Sequence, residues 1–176
     1  MAFIVLLLFV LACFLLVVFR GAPYVPTHKA SIDKILALVP KEGTFVDLGS
    51  GDGGVVKAVA ATGRRALGVE LNPLLVFISR WRIRAYSDHA HISMRDFWLQ
   101  HLPRDVSVVF VFLAGPFMAK FENYIKKEAE RLGRDVMVLS YGFEMAGAET
   151  VKKDGPLVLQ RVSPLYKKPT NSYHKQ

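Results

Sequence analysis

The residues best suited to chemistry are acids and glycines at the ends of predicted strands. Residues 44–54 read TFVDLGSGDGG, in which a short apolar run carries Asp47 and three alternating glycines follow: Gly49, Gly51 and Gly53. Glycine has no Cβ, so the backbone can adopt positive φ there and a ligand can approach closely. A strand, a tight turn and a helix start in this order place a ligand at the carboxyl end of the strand.

The acids discriminate between ligands for this loop. Gly49, Gly51 and Gly54 formally satisfy the dinucleotide fingerprint G-x-G-x-x-G. Asp47 and Asp52, however, would stand beside the two phosphate charges of a dinucleotide, and like charges repel in a partly dry cleft. S-adenosylmethionine (SAM) carries an ammonium and a sulfonium and no phosphate. The acids therefore favour SAM, with an NAD-type ligand as the alternative.

Two further acids follow the next predicted strands. Residues 66–73, ALGVELNP, predict a strand ending in Glu70, which can accept both ribose hydroxyls of a SAM or NAD ligand. Asp96 follows a third strand-like run and can accept a hydrogen bond from an adenine amino group, or cap the segment after it. The predicted cofactor-binding residues are Asp47, Gly49, Ser50, Gly51, Asp52, Gly53, Glu70, Leu71, Asn72, Asp96 and Phe97.

These motifs, DLGSGDG, GVELNPLLV with a following Ser-Arg pair, and RDFW, resemble class I SAM-dependent methyltransferases. They are similar in particular to the membrane-anchored lysine N-methyltransferases that modify the ATP synthase c subunit or the adenine nucleotide translocase, as is YVPT at residues 24–27. The resemblance covers about residues 23–162. It implies a Rossmann-like α/β sheet, mostly parallel with a C-terminal antiparallel hairpin, SAM as cofactor, and a lysine of a membrane-associated protein as acceptor. It departs at residues 141–144, YGFE, where the family has a stretch rich in arginine, proline and phenylalanine.

The acceptor is expected beyond the fourth and fifth strands. Methyl transfer from a sulfonium needs alignment and exclusion of water more than a catalytic base. The predicted acceptor wall comprises Leu113, Ala114, Gly115, Pro116, Tyr141, Gly142 and Phe143. Tyr141, Phe143 and Glu144 are the catalytic candidates, with Glu144 receiving the lysine proton or pairing with the ammonium. LAGPF stands where amino-directed nucleic-acid methyltransferases have N-P-P-Y, so no nucleic-acid acceptor is expected.

Hydrophobic periodicity supplies the elements that would position these residues. It predicts helices at about 28–39, 53–62, 73–87 and 117–132, with Thr27 as N-cap of the first. It predicts strands at about 44–47, 66–70, 89–94, 106–113 and 135–141. Asp154-Gly155 indicates a hairpin within residues 149–162. The first helix and residues 24–27 are a possible lid over the cofactor, or only a linker.

Residues 2–19 form an uninterrupted apolar run. As a helix this run would span roughly 27 Å, close to the ~30 Å of a bilayer core. Because it lacks a basic start and the residues after it, 20–23, make a poor cleavage site, we predict an uncleaved transmembrane anchor (1–21) in the lipid bilayer, a methyltransferase domain (22–163) and a basic flexible tail (164–176). Arg20, Lys29 and Lys34 follow the run, which predicts a single-pass membrane protein with its domain on the cytoplasmic side, or on the matrix side of the mitochondrial inner membrane.

The net charge of +8 favours an acidic partner, a membrane surface or nucleic acid. Arg80, Arg82 and Arg84 around Trp81 would suit anionic lipid or an acidic protein, although a solvated helix face is the simpler interpretation. The single cysteine and the absence of a ligand set around the histidines predict no metal. A small-molecule or lipid methyltransferase, a non-catalytic SAM-binding module and an NAD-dependent oxidoreductase remain alternatives.

Overall fold

The computed structural model describes residues 1, 4–5, 27, 29–113 and 115–164. Within those ranges, no helix is both long and apolar enough to cross a bilayer. The predicted anchor and the proposed lid segment at 24–27 lie almost entirely outside the described residues, and so does the predicted tail from residue 165 onwards.

Seven strands form one sheet in the order β3-β2-β1-β4-β5-β7-β6. The strands are β1 Thr44–Leu48, β2 Arg65–Glu70, β3 Ala90–Met94, β4 Val106–Val111, β5 Val136–Tyr141, β6 Glu149–Asp154 and β7 Leu157–Val162. The first five are mutually parallel, and β7 runs antiparallel between β5 and β6. The predicted α/β sheet with a C-terminal antiparallel hairpin is therefore confirmed.

In residues 29–113 and 115–164, four α-helices cover the two faces of the sheet: α1 Lys29–Leu38, α2 Gly54–Ala60, α3 Pro73–Ile83 and α4 Met118–Leu132. The first three share one apolar cluster, in which Ile35, Val56 and Ile83 pack with Phe45 of β1. On the other face, α4 packs through a separate apolar cluster. Short 3-10 helices follow α3 at Arg84–Tyr86, follow β3 at Phe97–Leu99 and precede α4 at Gly115–Phe117.

The second helix, the third helix and the hairpin turn have ends that differ from the predicted ones because of local backbone geometry. The second helix begins at Gly54, because Gly53 has φ +75° and lies in the left-handed region. The third helix ends at Ile83 and continues as a 3-10 turn, not as α-helix to residue 87. The hairpin turn is centred on Gly155-Pro156, one residue later than predicted, because Asp154 still pairs with Leu157.

A buried carboxylate ties α4 to the segment before β4. Glu128 accepts hydrogen bonds from Arg131 at 2.6 Å and from the Leu102 amide at 2.8 Å, and its Oε1 lies 2.7 Å from His101 Nδ1. Burial alone would raise the pKa of Glu128, but these hydrogen bonds outweigh burial and lower it. Tyr124 adds a hydrogen bond to the carbonyl of Gln100. This network fixes the chain that follows Asp96 and Phe97.

Candidate active site

The glycine loop between β1 and α2 lies at the carboxyl end of the parallel strands. Gly49, Gly51 and Gly53 have φ of +84°, +54° and +75°, a region that favours glycine over every other residue. The amides of Gly49 and Ser50 donate to the carbonyl of Val69 at 2.8 and 3.1 Å. The predicted left-handed turn is thus formed, and it is anchored to the neighbouring strand β2.

Two glycines allow the loop to pack against its surroundings. A Cβ on Gly53 would lie 2.7 Å from Cβ of Ser79, a fully buried residue on α3. A Cβ on Gly68, in β2, would lie 2.7 Å from Ser50 Oγ and 2.6 Å from Ile92 Cδ1. No role was predicted from the sequence for Ser79 or Gly68. For Gly68, the available signal was that a glycine stands inside a predicted strand.

Glu70 closes the loop from β2. Its carboxylate accepts hydrogen bonds from the amides of Gly51 (2.8 Å), Leu71 (2.8 Å) and Asn72 (2.7 Å). Burial raises the pKa of Glu70, and the three amides only partly offset this effect. Since a carboxylate offers about four acceptor positions, about one remains for a ligand hydroxyl in this arrangement.

Asp47 is the most perturbed acid of the site. It is 3% exposed. Burial raises its pKa to about 8, with smaller contributions from the negative charges of Glu70 and Asp52. Ionising this carboxyl group beside two others is unfavourable unless a cation enters. The site therefore favours a ligand with a positive charge close to Asp47.

Asp52 has a partner that was not predicted from the sequence. One oxygen accepts the Gly54 amide at 3.0 Å and the other forms an ion pair with Arg82 on α3. Arg82 belongs to the arginine cluster noted in the sequence. In the fold it points away from Arg80 and Arg84, because side chains two residues apart lie on different sides of a helix. Arg80 donates to the carbonyl of Ile92, and Arg84 stacks on Trp81. One arginine therefore braces the glycine loop while the other two do not contact it.

The remaining predicted cofactor residues lie at the same end of the sheet. Asn72 is buried and caps α3 by accepting the amides of Leu74 and Leu75. Asp96 caps the 3-10 helix Phe97–Leu99 through the amide of Trp98 at 3.1 Å, a role that was predicted as compatible with an adenine contact. The ring centroids of Phe97 and Trp98 lie 4.4 Å apart. Contact of these residues with a cofactor stays a prediction.

These residues fit SAM in charge and in shape. A Cβ on Gly49 would meet no atom within 4 Å, which leaves room there for close approach of a ligand, and the acids suit its ammonium and sulfonium. The Oγ of Ser50 is a buried polar atom with no hydrogen-bond partner among the described residues. Asp47 would hold the cationic end, Glu70 a ribose hydroxyl, and Asp96 with Phe97 the adenine.

Three aromatic rings lie together where β4 and β5 end. The ring centroid of Phe112 is 5.6 Å from that of Tyr141 and 6.1 Å from that of Phe143. All three residues are half-buried. Phe112 was absent from the predicted acceptor wall, since its place in an apolar strand-like run suggested core. We call these three residues the aromatic cluster.

The other predicted wall residues occupy different surroundings. Leu113 is buried, while Gly115 and Pro116 are exposed in the 3-10 helix that precedes α4. Gly142, with φ +79°, donates its amide to the carbonyl of Pro156 at 2.7 Å and so fixes the turn after β5. Ala114 lies outside the described residues.

Glu144 is held by the hairpin. Its carboxylate accepts hydrogen bonds from Lys153 and Thr150, both on β6, at 2.7 Å. These hydrogen bonds, that from Lys153 above all, lower the pKa of this exposed group. To take up a proton, Glu144 would have to leave Lys153. Its predicted role in proton transfer stays a prediction.

The strand order and the glycine loop after β1 define the class I methyltransferase fold. The family model described as the ANTKMT methyltransferase domain matches residues 47–152, which include every predicted cofactor residue, and the chain belongs to that family.

Named relatives and solved structures agree with this assignment. The lysine N-methyltransferase of the ATP synthase c subunit from Xenopus laevis is 35% identical over 115 residues, covering 64% of this chain and 50% of that protein. Adenine nucleotide translocase lysine N-methyltransferase of Mus musculus is 37% identical over 111 residues, covering 60% and 48%. The chain thus spans about half the length of the curated relatives it matches.

Among solved structures, an RNA methyltransferase from Salinibacter ruber in complex with S-adenosyl-L-homocysteine aligns with a TM-score of 0.64 and 25% identity. The alignment covers 82% of this chain and 97% of that one. A SAM-dependent methyltransferase from Thiobacillus denitrificans, 17% identical with a TM-score of 0.54, covers 74% of this chain and 53% of that one and shares the fold.

Proposed function

We propose that this chain is a SAM-dependent protein-lysine N-methyltransferase that acts on a membrane-associated protein. The observation that carries the cofactor assignment is the burial of Asp47 beside Glu70 and Asp52, which favours a cationic ligand at the glycine loop. A dinucleotide would bring phosphates to the same place. The acceptor class comes from the relatives, whose names specify lysines of the ATP synthase c subunit and of the adenine nucleotide translocase.

SAM would supply an activated methyl group, so the protein mainly has to align the acceptor and exclude water. The aromatic cluster suits this task. Its rings present apolar and π surface at the carboxyl ends of β4 and β5, on the same edge of the sheet as the glycine loop. An ammonium among such rings is partly desolvated, and desolvation favours loss of its proton to give the nucleophilic amine.

Label transfer tests this function. The full chain is mixed with tritiated SAM and membranes of the source cell, beside Asp47→Asn, and protein, lipid and RNA fractions are counted separately. We expect label in a small membrane protein, reduced with Asp47→Asn, and mass spectrometry to locate it on a lysine. Phe112→Ala should lower transfer at least about tenfold while SAM binding stays near wild type, since positioning supplies most of the rate.

The same experiment separates the alternatives. Label in the lipid fraction would indicate a lipid methyltransferase. Label in the RNA fraction would indicate an RNA methyltransferase, the activity named for the similar structure from Salinibacter ruber. SAM binding without transfer to any fraction would indicate a non-catalytic module. If SAM does not bind and NAD does, the methyltransferase proposal fails.

We further propose that residues 2–19 anchor the chain in the membrane with its domain on the cytoplasmic or matrix side. The apolar run and the basic residues after it support this topology. Protease added to sealed, right-side-out membrane vesicles should leave the domain intact, and detergent should expose it. Digestion without detergent would contradict the topology.

A further inference from the structure

The outer face of α3 exposes large apolar side chains. Leu75, Val76, Ser79 and Ile83 are buried against the sheet and the neighbouring helix. The residues on the opposite side, at helical spacing, are exposed: Pro73, Phe77, Arg80 and Trp81 in α3, and Arg84 at the start of the 3-10 helix that follows. Phe77 is 72% exposed and Trp81 62%. We call these five residues the outer face of α3.

This pattern is unusual for a helix that faces water, which normally carries charged and polar residues on its exposed side. Here the exposed side has two aromatic rings one helical turn apart, and its only charges are arginines. Between Pro73 and Ser87 the chain contains no acidic residue. A face of this composition favours a partner that is apolar and negatively charged.

The two arginines are held in place with hydrogen-bond donors to spare. The Arg84 guanidinium lies 4.3 Å from the centroid of the Trp81 ring and donates to the Trp81 carbonyl at 2.9 Å. Arg80 donates to the carbonyl of Ile92 through Nε (3.2 Å) and Nη2 (3.1 Å). Each guanidinium has five N–H donors, so several remain for an anion.

A surface depression adjoins these arginines at the β3 edge of the sheet. The depression is lined by Arg80, Arg84, Ser87 and His91 together with the apolar residues Ile83, Ala90 and Ile92. Hydroxyl, imidazole and guanidinium groups are donors suited to phosphate oxygens. The depression thus extends the outer face of α3 with a place for an anionic headgroup.

We propose that the outer face of α3 docks on an anionic lipid bilayer, with Phe77 and Trp81 in the interfacial layer and Arg80 and Arg84 on lipid phosphates. Aromatic rings with adjacent arginines suit the membrane–water interface, and anionic lipids attract such arginines. Two exposed rings suit a partner that deforms around them, as lipid does. The inference is independent of methyl transfer and goes beyond the proposed function.

Fluorescence of Trp81 tests the docking directly. In the full chain, Trp98→Phe leaves Trp81 as the only tryptophan. This variant is reconstituted in vesicles of phosphatidylcholine alone or with phosphatidylglycerol, in which the phosphatidylcholine is brominated near the top of the acyl chains. We expect quenching and a blue shift of Trp81 with phosphatidylglycerol, and reversal by high salt.

Charge variants show whether the face itself is responsible. Arg80→Gln/Arg84→Gln should weaken docking about 30-fold, because each arginine near an anionic surface contributes about 1 kcal/mol. Lys127→Gln/Arg104→Gln removes the same charge from exposed positions elsewhere and should leave quenching unchanged.

Three results would overturn the proposal. Trp81 that stays accessible to aqueous acrylamide and unquenched by brominated lipid would exclude docking. Protection of Trp81 without vesicles would show that the chain covers this face itself. Protection in native membranes but not in protein-free vesicles would assign the face to a protein partner.

Discussion

Asp47 should make cofactor binding depend on pH. With a pKa raised to about 8 by burial, its carboxyl group is about 90% protonated at pH 7 in the free protein. A bound cation would stabilise the ionised form, so binding SAM at pH 7 should release about 0.9 proton from this group. Affinity should then fall about 25-fold between pH 8.5 and pH 6.5, as protonation competes with the ligand.

Calorimetry in buffers of different ionisation enthalpy measures the released protons. The ammonium of SAM also titrates in this range, so the quantity of interest is the difference between wild type and Asp47→Asn. The variant keeps the shape of the side chain and cannot ionise. Wild type should release about 0.9 proton more than the variant at pH 7, and its affinity should change more steeply with pH.

The raised pKa of Asp47 should also make the stability of the free protein depend on pH. A carboxyl group with a raised folded pKa favours folding most when it is protonated, and this contribution is lost as pH rises from about 4 through about 8. Asp47→Asn should flatten this part of the stability curve in urea unfolding. Equal proton release and parallel pH curves for wild type and variant would refute the assignment of the raised pKa to Asp47.

Three further predictions concern the supports of the site. Gly53→Ala should destabilise the fold by about 1–3 kcal/mol more than Gly63→Ala in urea unfolding, because both have φ near +75° but only at Gly53 does the new Cβ meet a neighbour. Glu128→Gln should lower the free energy of unfolding by about 2 kcal/mol at pH 7. This loss should shrink as pH falls below the ordinary glutamate pKa, because the pKa of Glu128 is lowered in the folded protein and its stabilising contribution disappears as that pKa is approached. Arg82→Gln should weaken SAM binding about fivefold by calorimetry, with exposed Lys57→Gln unchanged, because an ion pair of this kind contributes about 1 kcal/mol.

Each of these predictions has a contradicting result. Equal losses for Gly53→Ala and Gly63→Ala would show that the helix relaxes around the added methyl group. A Glu128→Gln penalty that is independent of pH would show that the charge of Glu128 is not what stabilises the fold. Equal SAM affinities for wild type and Arg82→Gln would show that the glycine loop keeps its shape without the ion pair to Asp52.

The sequence was most informative where short segments act alone. The glycine loop was predictable because positive φ at Gly49, Gly51 and Gly53 is a local backbone preference. The strands were predictable because central parallel strands are apolar on both faces, as in VSVVFV of β4. Element ends were less accurate, since Gly53 and the 3-10 turn after α3 depend on how helices pack.

The partners of the site residues were not predictable in the same way. Asp52 and Arg82 are 30 residues apart and meet only because α3 packs beside the glycine loop. Phe112 joins Tyr141 and Phe143 because β4 and β5 are neighbours in the sheet. No local pattern encodes either contact.

By itself, the sequence determined the class of fold, the glycine loop and which acids lie at the strand ends, because these depend on local preference and on spacing along the chain. Only the tertiary structure decided the state of those acids. Burial raises the pKa of Asp47, three amides bind Glu70, and Arg82 pairs with Asp52. It also decided which apolar residues of α3 face water, since periodicity shows that a helix has sides but packing determines which side remains uncovered.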